Sequence, residues 1–171
     1  MFCSGLHSTS REDLCIHLRV AEKGSRLRNW LMVVLWMAVI FAGSSEFFSS
    51  QRTSRVIGPL LRWFIADVSD ETIRAVQMFV RKGCHLGEYA VLALLLWRAV
   101  RRPYAGGTRP WSWREAAYVL AGAGLYAVTD ELHQSLIPSR AGTMSDVLLD
   151  LLGVIIGLGL LWGYGRWRKD W

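Results

Sequence analysis

Between Val147 and Gly165 the chain runs through nineteen residues with a single charge, Asp150. A segment of that kind must be buried, either inside a protein core or in lipid, where a crossing helix needs about 20 apolar residues. Three further apolar stretches precede it. Asn29 to Ser45 is uncharged, Cys84 to Trp97 is interrupted by His85 and Glu88, and Ala116 to Thr129 leads into Asp130. A 171-residue chain is bounded to about one domain. Hydrophobic residues make up 52% without counting Gly, above the soluble average, so lipid is the better solvent for these stretches. The expected fold is all-α: an integral membrane bundle of four transmembrane helices.

Three patterns support this reading. Gly153 and Gly157, and again Gly159 and Gly163, form GxxxG pairs suited to close helix approach. Trp30, Trp97, Trp111, Trp113, Trp162, Tyr164 and Trp167 fall at segment ends, where amphipathic rings sit at a membrane interface. Basic residues collect before Trp30 (Arg11, Arg19, Lys23, Arg26, Arg28), between the second and third stretches (Arg98, Arg101, Arg102, Arg109, Arg114) and after the fourth (Arg166, Arg168, Lys169). The positive-inside rule then makes both termini and the middle loop cytoplasmic, in a multi-pass membrane protein. The first outer loop runs against that rule with six basic residues from Arg52 to Lys82.

Residues 1–28 read as a polar cytoplasmic N-terminal tail and 29–167 as the membrane domain. The first outer loop, about Phe47 to Arg81, is expected to carry short interfacial helices, with Ser69 capping a helix that starts at Asp70-Glu71. Residues 103–110 read as a plain inner loop. Cys3, Cys15 and Cys84 form no CxxC, so neither a disulfide framework nor a zinc ribbon is supported. Cys3, His7, Cys15 and His17 match no finger spacing. The net charge of +6 lies in blocks flanking apolar runs, which suits a lipid surface as partner rather than nucleic acid. No Walker loop, GxSxG or dinucleotide fingerprint is present, so no cofactor is expected.

The ionisable residues gather where the proposed spans meet one face. His85 and Glu88 open the second span. Asp130, Glu131, His133 and Gln134 close the third, and Arg140, Asp146 and Asp150 open the fourth. At about 100° per residue, His85, Glu88, Tyr89 and Leu92 share a stripe. So do Asp130, His133 and Gln134, with Tyr126 and Ala123 below, and likewise Asp146, Asp150, Gly153 and Gly157. Charge at the mouth of apolar helices is costly and marks a functional site or a paired network.

These residues also carry a resemblance. RKxxHxxEYxxLxxLLxR spans Arg81 to Arg98, and DExxQxxxPxRxxxxxDxxxDxxG spans Asp130 to Gly153. Ser44-Ser45 and Thr53-Ser54 add a weaker serine signature. Over roughly residues 30–165 the chain resembles the VanZ-like family of small bacterial membrane proteins. Many members carry Asn where Asp150 stands, so that carboxylate is left without a special role. The resemblance implies a cell-envelope location and a link to glycopeptide (teicoplanin-type) resistance.

The leading expectation is an outward-facing polar cleft that binds an anionic envelope lipid, a peptidoglycan-precursor fragment or a lipophilic glycopeptide. Arg140 would anchor the anion, helped by Arg81 and Lys82, because a guanidinium offers planar, bidentate donors. Gln134 would orient the ligand, and His85, His133 and Asp146 would line the site. Glu88, Asp130 and Glu131 are the candidate general bases for an enzyme on a phosphate- or carboxylate-bearing lipid, with His85 or His133 able to shuttle protons. Three alternatives stand beside it. One is a structural ion-pair network locking the helices. Another is a metal site from Asp130-x-x-His133 and His85-x-x-Glu88, and the last is transport or proton coupling. Oligomeric state is not specified by any of these patterns.

Overall fold

The computed structural model describes residues 8–44, 50–65, 67–101, 109–136 and 144–169, with side chains from 23 in the first segment and from 57 in the second. Among them there is no strand. Five helices follow one another: α1 (Ser8–Ser44), α2 (Ser50–Phe64), α3 (Asp70–Val100), α4 (Trp113–Ser135) and α5 (Met144–Trp167). The all-α expectation is met. Each of the four apolar stretches lies on its own helix, namely α1, α3, α4 and α5.

Two boundaries differ from the sequence reading. The polar segment before residue 29 is helical from Ser8 and continuous with the apolar part of α1. The "outer loop" ends at Ser69, not Arg81, because α3 runs unbroken from Asp70 to Val100. Ser69 does cap it, its Oγ accepting from Thr72 N at 3.1 Å, with Asp70 and Glu71 in the positive first turn. A cap followed by good helix formers leaves no reason to stop before the apolar stretch begins. α2 carries Pro59 and is tied to the start of α3 by Arg62 donating to Asp70 at 2.7 Å.

α3 is the hub, packed against all the other helices. Its contact with α5 is backbone against backbone. A Cβ on Gly153 would lie 2.5 Å from the Leu86 carbonyl oxygen, and one on Gly157 2.6 Å from that of Ala90. Only glycine permits this approach. Gly159 and Gly163, expected to act likewise, have nothing within 4 Å; that second pair does no packing. The matched order of Leu86–Ala90 with Gly153–Gly157 makes α3 and α5 parallel. α1 runs against α3, with Asn29 Nδ2 donating to the Arg98 carbonyl at 3.4 Å and Trp36 Nε1 to the Glu88 carbonyl at 2.9 Å. It runs alongside α4, where the Tyr126 hydroxyl donates to the Met37 carbonyl at 2.6 Å.

The apolar core lies between these helices: Val33 and Ile40 of α1, Leu92 and Ala93 of α3, Val119 and Ala123 of α4, and Val154 of α5 are buried. Large apolar side chains also cover the outside, among them Leu31, Val34, Leu125, Leu132, Ile155 and Leu160. Lys23–Ser44 and Met144–Trp167 are long and apolar enough to cross a membrane. α3 and α4 do not reach that standard. α3 carries Asp70, Glu71, Arg74, Arg81, Lys82, Glu88 and Arg98, and α4 carries charge at both ends.

One end of the bundle is closed by an aromatic and ionic clamp. Arg109 and Arg101 pair with Glu115 at 2.6 and 3.4 Å. Arg101 also donates to the carbonyls of Arg109 and Pro110, both at 2.6 Å. Trp97 stacks on Trp111 with centroids 4.2 Å apart. The inner loop expected to be plain is therefore anchored where it enters α4, whose N-cap is Ser112.

Candidate functional site

The opposite end holds the polar cluster, built by four helices. α1 ends at Ser44, whose hydroxyl donates to Asp130 Oδ2 at 2.8 Å. One helical turn further along α4, Gln134 Nε2 donates to the same Oδ2 at 3.1 Å and to Ser44 Oγ at 3.2 Å. Ser44, Asp130 and Gln134 are each about 1% exposed. Above them Arg81 of α3 donates to Gln134 Oε1 at 3.0 Å. Arg81 itself is exposed, and it forms no ion pair among the described residues. A guanidinium has five donors, and the rest of this one points past a neutral amide toward the surface.

One turn beyond Arg81 on the same face of α3, His85 turns Nδ1 toward Asp150 Oδ1 of α5 at 3.4 Å. The Asp150 side chain is 1% exposed, while that of His85 keeps 13%. Nδ1 is buried, so the exposure that remains belongs to other atoms of the side chain. Glu88 follows on the next turn, beside Gly43 of α1 and within electrostatic reach of His85, Asp130 and Asp150. Tyr89 is fully buried, and its hydroxyl has no hydrogen-bond partner among the described residues. The second carboxylate oxygen of Asp130, Oδ1, is likewise buried and unpartnered among the described residues.

The expected site residues therefore separate into groups. His85, Glu88, Asp130 and Gln134 meet in one cluster. Asp146 sits in the first turn of α5, half-buried and within reach of Asp150. Glu131 is buried on the adjoining face of α4. His133 departs from the expected stripe: it stacks on Phe41 of α1 with centroids 4.1 Å apart. That packing takes its ring away from a pairing with Asp130, and no group of three His, Cys, Asp or Glu among the described residues is placed to hold a metal ion. Arg140, the expected anion anchor, lies outside the described residues, as do Pro138 and Ser139.

Some members of the site escaped the sequence reading. Asp150 had been left without a role, yet it faces His85. Ser44 appeared only as part of a weak signature, and Trp36 only as one more apolar residue. The signal for Asp150 was present in its stripe with Gly153: a carboxylate one turn from a glycine that touches a neighbouring backbone cannot face lipid.

Search of the curated proteins and of the solved structures gave no match. A family model described as VanZ/LLP1 matches residues 29–165, the whole of the bundle from Asn29 in α1 to Gly165 in α5. Together with two helices long and apolar enough to cross a membrane, this supports a membrane protein. Both motifs that converge on the polar cluster fall inside the matched span, and the chain belongs to the VanZ/LLP1 family.

Proposed function

We propose that α1, α3, α4 and α5 all cross the bacterial cytoplasmic membrane, with both termini inside and α2 lying in the outer interface. The polar end of the bundle then opens outward and binds the anionic headgroup of an envelope lipid or lipid-linked cell-wall precursor. The observation that carries this is Arg81: an exposed guanidinium, held by one neutral amide above a buried hydrogen-bonded triad. A cation fixed by a neutral acceptor keeps its charge unspent, and an arginine fork matches phosphate or carboxylate. A structural ion pair would have given it a carboxylate instead. Arg140, in the sequence between α4 and α5, is the second anchor. Loss of such a contact is also the route by which the protein would alter sensitivity to lipophilic glycopeptides.

A second reading has its own observation, the His85–Asp150 pair beside Arg81. With Nδ1 facing Asp150 at 3.4 Å, Nε2 can take a proton from water. The water oxygen then attacks phosphorus, the bond to the lipid alcohol breaks, and the imidazolium returns its proton to the departing alkoxide. Asp150 stabilises the transient positive ring, and Arg81 the charge on phosphate.

Native mass spectrometry of the protein extracted with its lipids tests both readings. An anionic lipid should co-purify with wild type, be retained at reduced level by Arg81→Lys and be lost from Arg81→Ala. Retention in Arg81→Ala would overturn the anchor. Incubation with a lipid phosphate then separates binder from hydrolase: release of phosphate that His85→Ala abolishes supports catalysis, and no release leaves binding alone.

A further inference from the structure

The clamp end of the bundle carries more cations than it can pair. Among the described residues its one carboxylate is Glu115, and Arg101 and Arg109 both hold it. One turn before Arg101 on α3, a groove of about 80 Å3 opens against α1, lined by Arg28, Asn29, Met32, Leu95 and Arg98. Arg28 and Arg98 are exposed, and neither guanidinium has a hydrogen-bond or ion-pair partner among the described residues. The Asn29 amide donates to the Arg98 carbonyl at 3.4 Å, which pins the two helices at this level and keeps both arginines at one mouth. Two like charges lining so small a space repel each other unless an anion lies between them.

A second observation, independent of the charges, gives the level of this groove in a bilayer. Trp30, next to it in sequence, is exposed, and so are Trp113, Trp162 and Tyr164 at the same end of the bundle. Such rings sit at the headgroup region. From the groove the same helix faces continue toward the middle of the bundle as apolar surface. Leu35 lies two turns on from Arg28, and Val91 two turns before Arg98, which is the same face at about 100° per residue. Both are exposed. A cationic mouth above an apolar track matches a phospholipid, with its phosphate at one end and an acyl chain along the other.

We propose that this groove binds the phosphate of an anionic phospholipid of the inner leaflet. Arg28 and Arg98 are its donors, and an acyl chain lies against Met32, Leu35, Val91 and Leu95. A guanidinium offers phosphate a planar pair of N–H donors. A net negative headgroup is preferred, because a zwitterionic one brings its own cation up to the two arginines. The site is separate from Arg81: it lies at the opposite end of the bundle, and it takes from the proposed topology only that α1 crosses with its basic end inside. Both arginines are exposed, so the lipid exchanges with the bilayer and is lost on extraction. Titration reads it, not co-purification.

Native mass spectrometry of delipidated protein carrying Arg81→Ala, which removes the other end's contribution, tests this with added lipid. Dioleoyl phosphatidylglycerol should bind more tightly than dioleoyl phosphatidylcholine by a factor of about 10–30, as expected for two arginines at a lipid surface. Arg28→Ala together with Arg98→Ala should abolish that preference, and Arg28→Lys with Arg98→Lys should keep part of it. Arg26→Ala, exposed but outside the groove, should leave it intact. Equal binding of the two lipids before either groove arginine is changed overturns the proposal, and so does a preference that survives the loss of both. Glycerol 3-phosphate is the third probe: displacement of phosphatidylglycerol at equal concentration would make the ligand a soluble phosphate and overturn the lipid. None of these results bears on the Arg81 contact, which stands or falls on the lipid that co-purifies with wild type.

Discussion

Ser44 is a single hydroxyl at a helix end, yet it is what makes α1 part of the site. Its Oγ gives a hydrogen bond to Asp130 and receives one from Gln134. Bonds to charged groups are worth about 1.5–3 kcal/mol in soluble proteins, and interhelical ones in membranes less, about 0.6–2. Ser44→Ala should therefore cost about 1–2 kcal/mol in a detergent unfolding equilibrium, and Ser44→Ala with Asp130→Asn should cost less than the sum of the two. Additivity would mean the two groups do not communicate. The residue scale is also where sequence reading was weakest. Asp130, His85 and Glu88 were legible because charge in an apolar stretch has few explanations. Ser44 and Trp36 were not, because their roles depend on atoms of other helices: a carboxylate 86 residues away and the Glu88 carbonyl. His133 shared the stripe of Asp130, but a histidine ring stacks as readily as it pairs, and Phe41 decided the matter.

At the scale of elements, α3 and α5 are held together by the absence of side chains. Gly157→Ala places a Cβ within 2.6 Å of a backbone oxygen that no rotamer can move. The helices must separate, and overpacking of this kind costs about 1–3 kcal/mol. Gly159→Ala, with open space around it, should be neutral or gain up to about 1 kcal/mol from helix propensity. Thermal unfolding of the two variants side by side checks the contrast, and equal stabilities would mean that the close approach is not part of the folded state. The sequence marks both glycine pairs alike, since spacing states that two residues share a face but not which face meets a neighbour. The same limit explains the length of α3. Polar residues from Asp70 to Lys82 suggest a short interfacial helix separate from the apolar stretch that follows, whereas a capped helix tolerates polar residues along any solvated face and runs on into that stretch.

For the whole molecule, the open question is the number of crossings, and it has a physical argument. α4 spans about 35 Å by length alone, and α3 is longer. The hydropathy of α4 falls short because of residues that point inward: Glu115, Asp130, Glu131 and Gln134 are buried, while Tyr118, Leu125, Val128 and Leu132 cover its outside. That of α3 is lowered by exposed charges at its start, Asp70, Glu71, Arg74, Arg81 and Lys82. On α3, Val91 and Leu94 are exposed and Tyr89 and Leu92 are not. A helix with its polar groups inside the bundle presents lipid with an apolar surface whatever its average composition. Four crossings then place the Ser44–Gln134 end outside and the Arg101–Glu115 clamp inside, in line with the basic residues around that clamp. Single cysteines in a background without Cys3, Cys15 and Cys84 test this in intact cells. Ser135→Cys, exposed at the end of α4, should react with a membrane-impermeant maleimide from outside. Arg168→Cys, exposed after α5, should react only after lysis, and so should Arg114→Cys at the start of α4. Reaction of both Ser135→Cys and Arg114→Cys from outside, with Arg168→Cys still protected until lysis, would reduce the crossings to the two most apolar helices and leave α3 and α4 outside the bilayer. In that arrangement the polar end would no longer be set at a lipid surface, and Arg81 would lose the membrane position on which its proposed headgroup contact depends.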